Sequence, residues 1–380
     1  MSESPTPGLL AAQAQGGARR GAFAVWAGAA RDVLRRQAWL IAVMGGYIAL
    51  GMAIGRWHGQ TIKVTLYNEI VSQLFISFAL TAFCVHTFRL LRRHRPKRPL
   101  AFLTRDLLTN YLTPHRILTP LPVLLLTSPF ISVVSSVKRL IAFMNPFDWD
   151  ARFAELDRLL HGGIHPWELL HPLLAHPYVT AAVSELYSFP WFFAVALLQF
   201  WLIFTRHEAR HRLILTNLLC WILLGNLAAT LFSSAGPVYY AHFVPGPDPY
   251  AELMAHLAGI NAIIPLSALE SQDYLWSMYQ SGQVLPGTGI SAMPSMHLSM
   301  ATLMVLAARH IGRRTTILAW AYLVFLQLGS VYLGWHYAID GYASTAATFT
   351  IWWALGRLGG RRRARRDDER PTSRAEASQV

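Results

Sequence analysis

Long apolar stretches alternate with short polar segments along most of the chain. A helix that crosses the hydrocarbon core of a bilayer needs about 20 mostly apolar residues. Eight stretches reach or approach that length, near residues 38–55, 69–88, 117–137, 179–205, 213–234, 293–308, 315–334 and 337–356. The sixth is short and the last two are almost continuous, so the expected number is about eight. Helices buried in an ordinary protein core would give stretches of about 10–14 residues. The pattern predicts an all-α polytopic membrane helical bundle.

Two segments between these stretches also have helical periodicity. In DWDARFAELDRLLHG, Phe153, Leu156, Leu159 and Leu160 recur at helical spacing after acidic residues that suit the start of a helix. We expect a short helix that lies on the membrane surface. Residues 248–261 and 265–282 also look helical, and they either cap a site or pack on the bundle.

Composition and charge agree with a membrane protein and set its orientation. Of the 380 residues, 53% are hydrophobic and 14% are charged, against about 25% charged in soluble domains. The net charge is +13, and 27 of the 33 Lys and Arg residues fall in alternate connecting segments and the two ends. Since Lys and Arg concentrate on cytoplasmic loops, we expect a multi-pass plasma (inner) membrane protein with both termini cytoplasmic. The surplus charge is an orientation signal that requires no nucleic acid partner.

The ends of the chain and its cysteines predict no further chemistry. Residues 1–37 read as a disordered, basic cytoplasmic N-terminus, and residues 357–380 as a basic cytoplasmic tail that contacts anionic lipid head groups. Cys84 and Cys220 both lie inside apolar stretches, so neither a disulfide nor a cysteine metal site is expected.

Two histidines are candidates for catalysis because ionisable residues in membrane helices are costly and usually functional. His297 stands in SAMPSMHLSMA, where the sixth stretch begins, and His336 precedes Asp340 by four residues. An i, i+4 pair lies on one helix face, so Asp340 can orient the His336 ring and select its protonated nitrogen. The orientation deduced from charge puts both histidines at the same, non-cytoplasmic membrane level.

Lys138 and Arg139 are expected at that level too, where only six basic residues occur. Such cations can bind a phosphate by charge and by several N–H donors. A carboxylate-oriented imidazole is a nucleophile, and a second histidine can protonate a leaving oxygen and then activate an acceptor. The residues therefore suit phosphoryl transfer through a histidine, a reaction that needs no metal and no cofactor.

Three segments around these residues resemble the signature of the type 2 phosphatidic acid phosphatase superfamily. The signature K-x6-R-P, then P-S-G-H, then S-R-x5-H-x3-D is similar to KRLIAFMNP (Lys138 to Pro146), PSMH (Pro294 to His297) and GSVYLGWHYAID (Gly329 to Asp340). Asn145 replaces the first arginine, Met296 replaces glycine, and Gly-Ser replaces Ser-Arg. PSMH with HYAID, together with PFDWDARFAELDRLLHG, resembles the branch of the fungal inositol phosphorylceramide synthases, which are inositolphosphotransferase-like.

The resemblance implies a role for each matching residue. His336 would be the nucleophile, Asp340 its orienting carboxylate and His297 the general acid and base. Lys138 and Ser295 would contact phosphate, and Arg139 and Asn145 complete the expected substrate-binding set. Residues 117–356 would form the catalytic domain with six spans, and residues 38–116 two extra spans with a basic cytoplasmic loop.

The implied function is transfer of a phosphoryl or phospho-alcohol head group from a phospholipid-type donor to a lipid alcohol. The expected partners are a phospholipid or lipid phosphate substrate and the membrane, and the oligomeric state stays open. One alternative is a lipid phosphate phosphatase, with water as the acceptor. An alternative of another class is a membrane transporter or lipid-binding protein whose polar residues line a pathway.

Single residues also have simpler interpretations. His336 and Asp340 could be a buried structural pair, or could bind a metal together with His297. Lys138 and Arg139 could be ordinary interfacial cations. Glu185 could reach the histidines or form a hydrogen bond between packed helices.

Overall fold

A computed structural model describes the backbone of residues 7–368 and the side chains of residues 23–359. Within that range all regular secondary structure is helical, which confirms the predicted all-α class. The first half contains α1 (Pro7–Trp57), α2 (Asn68–His94), α3 (Pro99–Asp106), α4 (Pro114–Leu118), α5 (Leu121–Arg139), α6 (Ile141–Met144), α7 (Asp150–Leu160), α8 (Pro166–Leu174) and α9 (Pro177–Phe204). The second half contains α10 (Arg210–Leu219), α11 (Ala229–Leu231), α12 (Tyr240–Phe243), α13 (Ala251–Asn261), α14 (Ser267–Ser281), α15 (Met296–Ala308), α16 (Arg313–Tyr332) and α17 (Ala338–Asp368). Shorter non-α turns are π-helices at Leu107–Tyr111 and Cys220–Ala228, and a 3-10 helix at Pro237–Tyr239.

Six helical segments in the described chain are long and apolar enough to cross a membrane, so the protein is a multi-pass membrane protein. They are Phe23–Trp57, Asn68–His94, Pro114–Arg139, Pro177–Phe204, Arg210–Leu231 and Arg313–Tyr332. The sixth and eighth predicted stretches form α15 and α17, which are not among the six. With 13 residues, α15 is about 20 Å long, against the roughly 30 Å of a bilayer core. It packs against α9, α10, α16 and α17, so protein surrounds much of it.

The N-terminal helix differs from the prediction for residues 1–37. The structure has one continuous helix from Pro7 through Trp57, whereas that segment was expected to be disordered. Its sequence is rich in alanine and leucine, which favour the helix. Residues 1–6, and the part of the predicted basic tail at 369–380, lie outside the described residues.

The first predicted span is attached to the rest of the bundle along one face. Leu40, Met44 and Tyr47 of α1 are buried, and α1 packs against α4, α5 and α10. The Tyr47 hydroxyl donates to Asn226 in the π-helical turn after α10, and Asn226 donates to the Val134 carbonyl of α5. A buried polar network of this kind fixes the relative position of the three helices.

α2 packs more loosely than α1. None of its residues is buried, and it packs against α5 and α9. Phe75 and Phe78 each lie 5.4–6.3 Å from Phe200, measured between ring centroids. Much of the α2 surface is therefore left for lipid.

The two ends of the bundle differ in chemistry. At one end, which we call the site end, α5 finishes and both α15 and α17 begin. At the opposite end, the Arg210 guanidinium donates to the Leu202 and Ile203 carbonyls at 3.0 and 3.1 Å. These bonds satisfy carbonyls in the last turn of α9. The helices predicted within residues 248–282 lie at the site end, where Gln272 of α14 donates to the Leu333 carbonyl, 2.8 Å away.

Candidate active site

A buried histidine–carboxylate pair lies where the loop after α16 leads into α17, with His336 in the loop and Asp340 in the first turn of the helix. His336 Nδ1 lies 3.2 Å from Oδ2 of Asp340, and that oxygen also accepts the Tyr337 N–H at 3.0 Å. Asp340 has no exposed surface, and His336 is 7% exposed. When Asp340 is ionised it can only accept, and the contact then assigns the proton of the neutral ring to Nδ1 and leaves Nε2 with its lone pair. The expected contact between His336 and Asp340 is therefore present, but His336 lies just before α17 and not on a helix face shared with Asp340.

The surroundings of His336 favour the neutral ring. Burial lowers the pKa of His336 to about 3, and the positive charge of Lys138 acts in the same direction. A hydrogen bond with the backbone of Ala292 acts in the opposite direction. At neutral pH the imidazole is therefore uncharged, which is the form that can attack an electrophile.

His297 occupies the first turn of α15 and faces the same space. Its ring centroid is 6.3 Å from that of His336. On its other side it stacks on Tyr187 at 4.9 Å and contacts Trp191 at 4.0 Å, both from α9. These two aromatic rings hold His297 in place by packing, and His336 and Lys138 are its charged or titratable neighbours.

Of the two cations at the end of α5, only Lys138 belongs to this group. Its charge acts on both histidine rings. Within the described residues no carboxylate pairs with it. Arg139 points away toward the loop after α1, where its guanidinium donates to Gln60 Oε1 at 3.4 Å. Of the two predicted phosphate-binding cations, Lys138 therefore lies near the histidines and Arg139 lies at the loop after α1.

Ser295 and Asn145 are also separated. The Ser295 N–H donates to the Asp340 carbonyl at 3.3 Å, which ties the start of α15 to the start of α17. The Ser295 hydroxyl is buried and has no hydrogen-bond partner among the described residues. Asn145 instead donates to the Thr230 carbonyl at 2.7 Å, at the end of α11. That bond gives Asn145 a structural role outside the histidine group.

Two carboxylates that sequence reasoning did not select hold the backbone around the site. Asp150 accepts the N–H groups of Ala235 and Gly236, both at 2.8 Å, and the Tyr337 hydroxyl at 2.7 Å. Asp157 accepts the N–H groups of Ala338 and Ile339, at 2.7 and 3.0 Å. The last two are the first N–H groups of α17, which have no partner inside the helix.

The helix predicted within this segment is present as α7. Its buried face consists of Asp150, Phe153, Ala154 and Asp157, whereas Leu156, Leu159 and Leu160 are 43–61% exposed. The acids occupy the inner face because each of them accepts backbone N–H groups there. The exposed leucines leave an apolar surface suited to the membrane interface.

Burial raises the pKa of Asp150 and of Asp157, while their N–H donors act in the opposite direction. For Asp150, the Tyr337 hydroxyl is a further donor that lowers the pKa. Every partner named here donates to the carboxylate, which is the arrangement expected of ionised acceptors.

Close backbone approaches complete the site end. A Cβ atom on Gly236, whose φ is +98°, would lie 2.8 Å from the Trp335 carbonyl oxygen. On Gly289, with φ of +108°, it would lie 2.9 Å from the Arg139 nitrogen. Both positions therefore require glycine, and both bring the segment between α11 and α15 against residues of the site.

Glu185 does not join the group. Its side chain is exposed on α9, and it forms no hydrogen bond or ion pair with other described residues. Neither of its two interpretations is supported. No set of three or more His, Cys, Asp or Glu side chains in the described part of the chain is arranged to hold a metal ion.

Comparison with protein families identifies a family for this chain. The family model of the PAP2 superfamily matches residues 151–354, just over half of the chain. The matched segment contains Asp157, Ser295, His297, His336 and Asp340, and it leaves out α1 to α6. No curated protein and no solved structure matches the chain.

Proposed function

The chain belongs to the PAP2 superfamily, and we propose that it transfers a phosphoryl or phospho-alcohol group from a phospholipid-type donor to a lipid alcohol. Membership indicates a membrane enzyme of the lipid phosphatase or phosphotransferase type. The observation that carries the finer proposal is the placement of His297 opposite the Asp340-bonded His336, with Lys138 as the nearby cation.

The proposed first step forms a phosphohistidine. Nε2 of His336 attacks the phosphorus atom, and the bond from phosphorus to the leaving alkoxide breaks. His297, protonated once the anionic phosphate of the donor binds beside it, gives its proton to that oxygen as it leaves. Asp340 keeps the Nδ1 proton in place and stabilises the ring as positive charge develops on it.

The second step regenerates the enzyme. The acceptor hydroxyl loses its proton to His297, its oxygen attacks phosphorus, and the bond from phosphorus to Nε2 breaks. Lys138 stabilises the charge on the non-bridging oxygens in both steps. The Ser295 hydroxyl is the second phosphate contact, since it is buried beside the pair and lacks another partner. The route uses neither a metal nor a cofactor.

Two observations favour a lipid alcohol over water as acceptor. His336 is 7% exposed, and α14 contacts the loop that carries it, so water has restricted access to the phosphohistidine. Gly329 and Ser330 replace the Ser-Arg of the family signature, a loss that the phosphotransferase branch tolerates better than a phosphatase. On these grounds we propose that the chain belongs to the branch resembling inositol phosphorylceramide synthase.

We further propose that the site end faces away from the cytoplasm of the plasma (inner) membrane, with both termini inside. The support is the charge distribution, because Arg210 and Arg212 lie at the opposite end while the 235–290 segment has no Lys or Arg. Residues 117–356 then form the catalytic domain. A cysteine introduced at Gln283 and labelled from the outside only would agree with this orientation.

The test of activity uses purified protein with chelator present. Labelled phosphatidic acid, phosphatidylinositol and ceramide are supplied as donors and acceptors, and transfer to alcohol is compared with release to water. We expect transfer in the wild type and its loss in His336→Ala and His297→Ala. His176→Ala, an exposed histidine at the same end, is the matched control and should keep full activity.

The outcomes separate the alternatives. Release to water alone would identify a phosphatase. An activity that survives both site substitutions would contradict the histidine mechanism. Chelator-sensitive activity would contradict its metal independence.

A further inference from the structure

The loop after α1 gathers basic side chains beside the end of α5. Only six Lys and Arg residues lie outside the segments predicted to be cytoplasmic, and four of these occupy α1, this loop and the end of α5. The four are Arg56, Lys63, Lys138 and Arg139. Gln60 accepts a hydrogen bond from Arg139 at 3.4 Å, and the Lys63 N–H donates to Ser136 of α5 at 3.3 Å. The loop is thereby fixed along α5 next to Lys138.

A groove opens at this place, and its two halves differ in polarity. It has a volume of about 410 Å³ and is lined by Met52, Ala53 and Ile62 on one part and by Arg56 and Gln60 on the other. Trp57, next to Arg56, is 86% exposed. An exposed tryptophan at the end of a membrane helix is typical of the interface between lipid tails and head groups. The apolar part of the groove therefore faces the depth of lipid tails and the polar part faces the head groups.

The positive charge at the groove has no negative partner in the described structure. Arg56 and Arg139 form no ion pair there, and the buried Nε of Arg139 has no hydrogen-bond partner. Lys63 donates to a carbonyl, that of Val284. The two other non-cytoplasmic cations are occupied, since Arg158 pairs with Glu155 and Arg152 covers the Trp149 ring at 4.9 Å.

We propose that this groove binds an anionic phospholipid, with its phosphate at Arg56 and Gln60, where Arg139 reaches the rim through its bond to Gln60, and a chain along Met52, Ala53 and Ile62. An uncompensated pair of guanidinium groups suits a phosphate because each offers several N–H donors. The site lies outside the segment matched by the family and is separate from the two histidines. It gives the N-terminal helices a function: they hold a second lipid beside Lys138.

The test measures lipid binding by native mass spectrometry in the His336→Ala background, which removes turnover under the proposed mechanism. Dioleoyl-phosphatidylglycerol is compared with dioleoyl-phosphatidylcholine. We expect the double variant Arg56→Gln/Arg139→Gln to bind phosphatidylglycerol at least about tenfold more weakly, because two cations that attract anionic lipid are lost. Phosphatidylcholine binding should not change. Arg152→Gln is the matched control and should bind like its parent.

A second variant tests the apolar half without altering charge. Ala53→Trp, at an exposed position that lines the groove, should weaken phosphatidylglycerol binding while both arginines remain. The proposal would be overturned if Arg152→Gln lost as much phosphatidylglycerol binding as the double variant, or if the double variant lost none. It would also be overturned if inorganic phosphate displaced phosphatidylglycerol as well as the lipid itself does. Because lipid binding is measured without turnover, the binding proposal can hold even if the catalytic proposal fails.

Discussion

Replacing Asp157 should lower both stability and activity, although Asp157 itself does not contact the substrate. Both of its carboxylate oxygens accept N–H groups at the start of α17, and Asp340 follows Ile339 directly in the chain. Ala338 and Ile339 are 2% and 5% exposed, so water cannot replace the lost acceptor. In Asp157→Ala two buried N–H groups lose their partner. At about 1–3 kcal/mol for each, the expected loss of stability is about 2–6 kcal/mol.

The loss of activity should exceed the loss of folded protein. Without Asp157 the first turn of α17 is free to shift, and the His336–Asp340 hydrogen bond shifts with it. A misplacement of about 1 Å at a reacting group costs roughly 100-fold in rate. Since Asp157 does not contact substrate, kcat should fall while KM stays near its wild-type value. Asp157→Asn keeps one acceptor oxygen, so its defects should be smaller than those of Asp157→Ala.

The assay pairs thermal unfolding in detergent with steady-state transfer kinetics. Glu155→Gln is the matched control, because Glu155 lies on the exposed face of the same helix and, among the described residues, pairs only with Arg158. We expect it to behave as wild type in both measurements. The reasoning is refuted if Asp157→Ala keeps wild-type kcat while folded, or if Glu155→Gln is equally impaired.

Three further predictions concern groups around the histidines. The pKa of His336 is lowered to about 3 in the folded protein, against about 6.5 when unfolded. The contribution of His336 to the free energy of unfolding is therefore complete above about pH 6.5 and decreases as the pH falls below that value. Thermal unfolding from pH 7 to pH 4 should show this decrease, and His336→Asn should reduce it. Equal dependence of the unfolding temperature on pH in both proteins would contradict the lowered pKa of His336. Trp191→Leu should lower kcat up to about tenfold by removing a ring contact worth about 0.5–1.5 kcal/mol, whereas the exposed Phe189→Leu should not. Gly289→Ala should lower phosphate affinity, measured as KM, by pushing on the end of α5, whereas Gly287→Ala, which meets no neighbour, should cause only backbone strain.

The general architecture was predictable because span length and charge asymmetry are local properties. A run of apolar residues is recognisable wherever the helix packs, and six such helices are present in the described chain. The His336–Asp340 pair was predictable for the same reason, since four residues within one chain segment determine its geometry. α15 was harder to assign, because its short apolar segment is surrounded by protein instead of lipid.

The contacts that were missed all join distant parts of the chain. Asp157 and Ala338 are 181 positions apart, and no spacing rule connects a surface-helix acid with the N–H groups of another helix. Tyr187 and Trp191, which contact His297, are four residues apart on α9. Lipid-facing aromatic residues have the same spacing, so the spacing alone does not indicate a contact with a distant histidine. Lys138 and Arg139 are neighbours in sequence, but successive residues of a helix point in different directions, and only one of them faces the histidines.

The central claim is that His336 carries the phosphoryl group between donor and acceptor. Incubation with a phosphorus-labelled lipid donor, followed by an alkaline quench and peptide mass spectrometry, tests it directly because phosphohistidine is stable in alkali. We predict label on the peptide that contains His336, its loss when acceptor alcohol is added, and no label in His336→Ala. A protein that turns over donor without label on that peptide, or that is labelled equally in His336→Ala, would contradict the account.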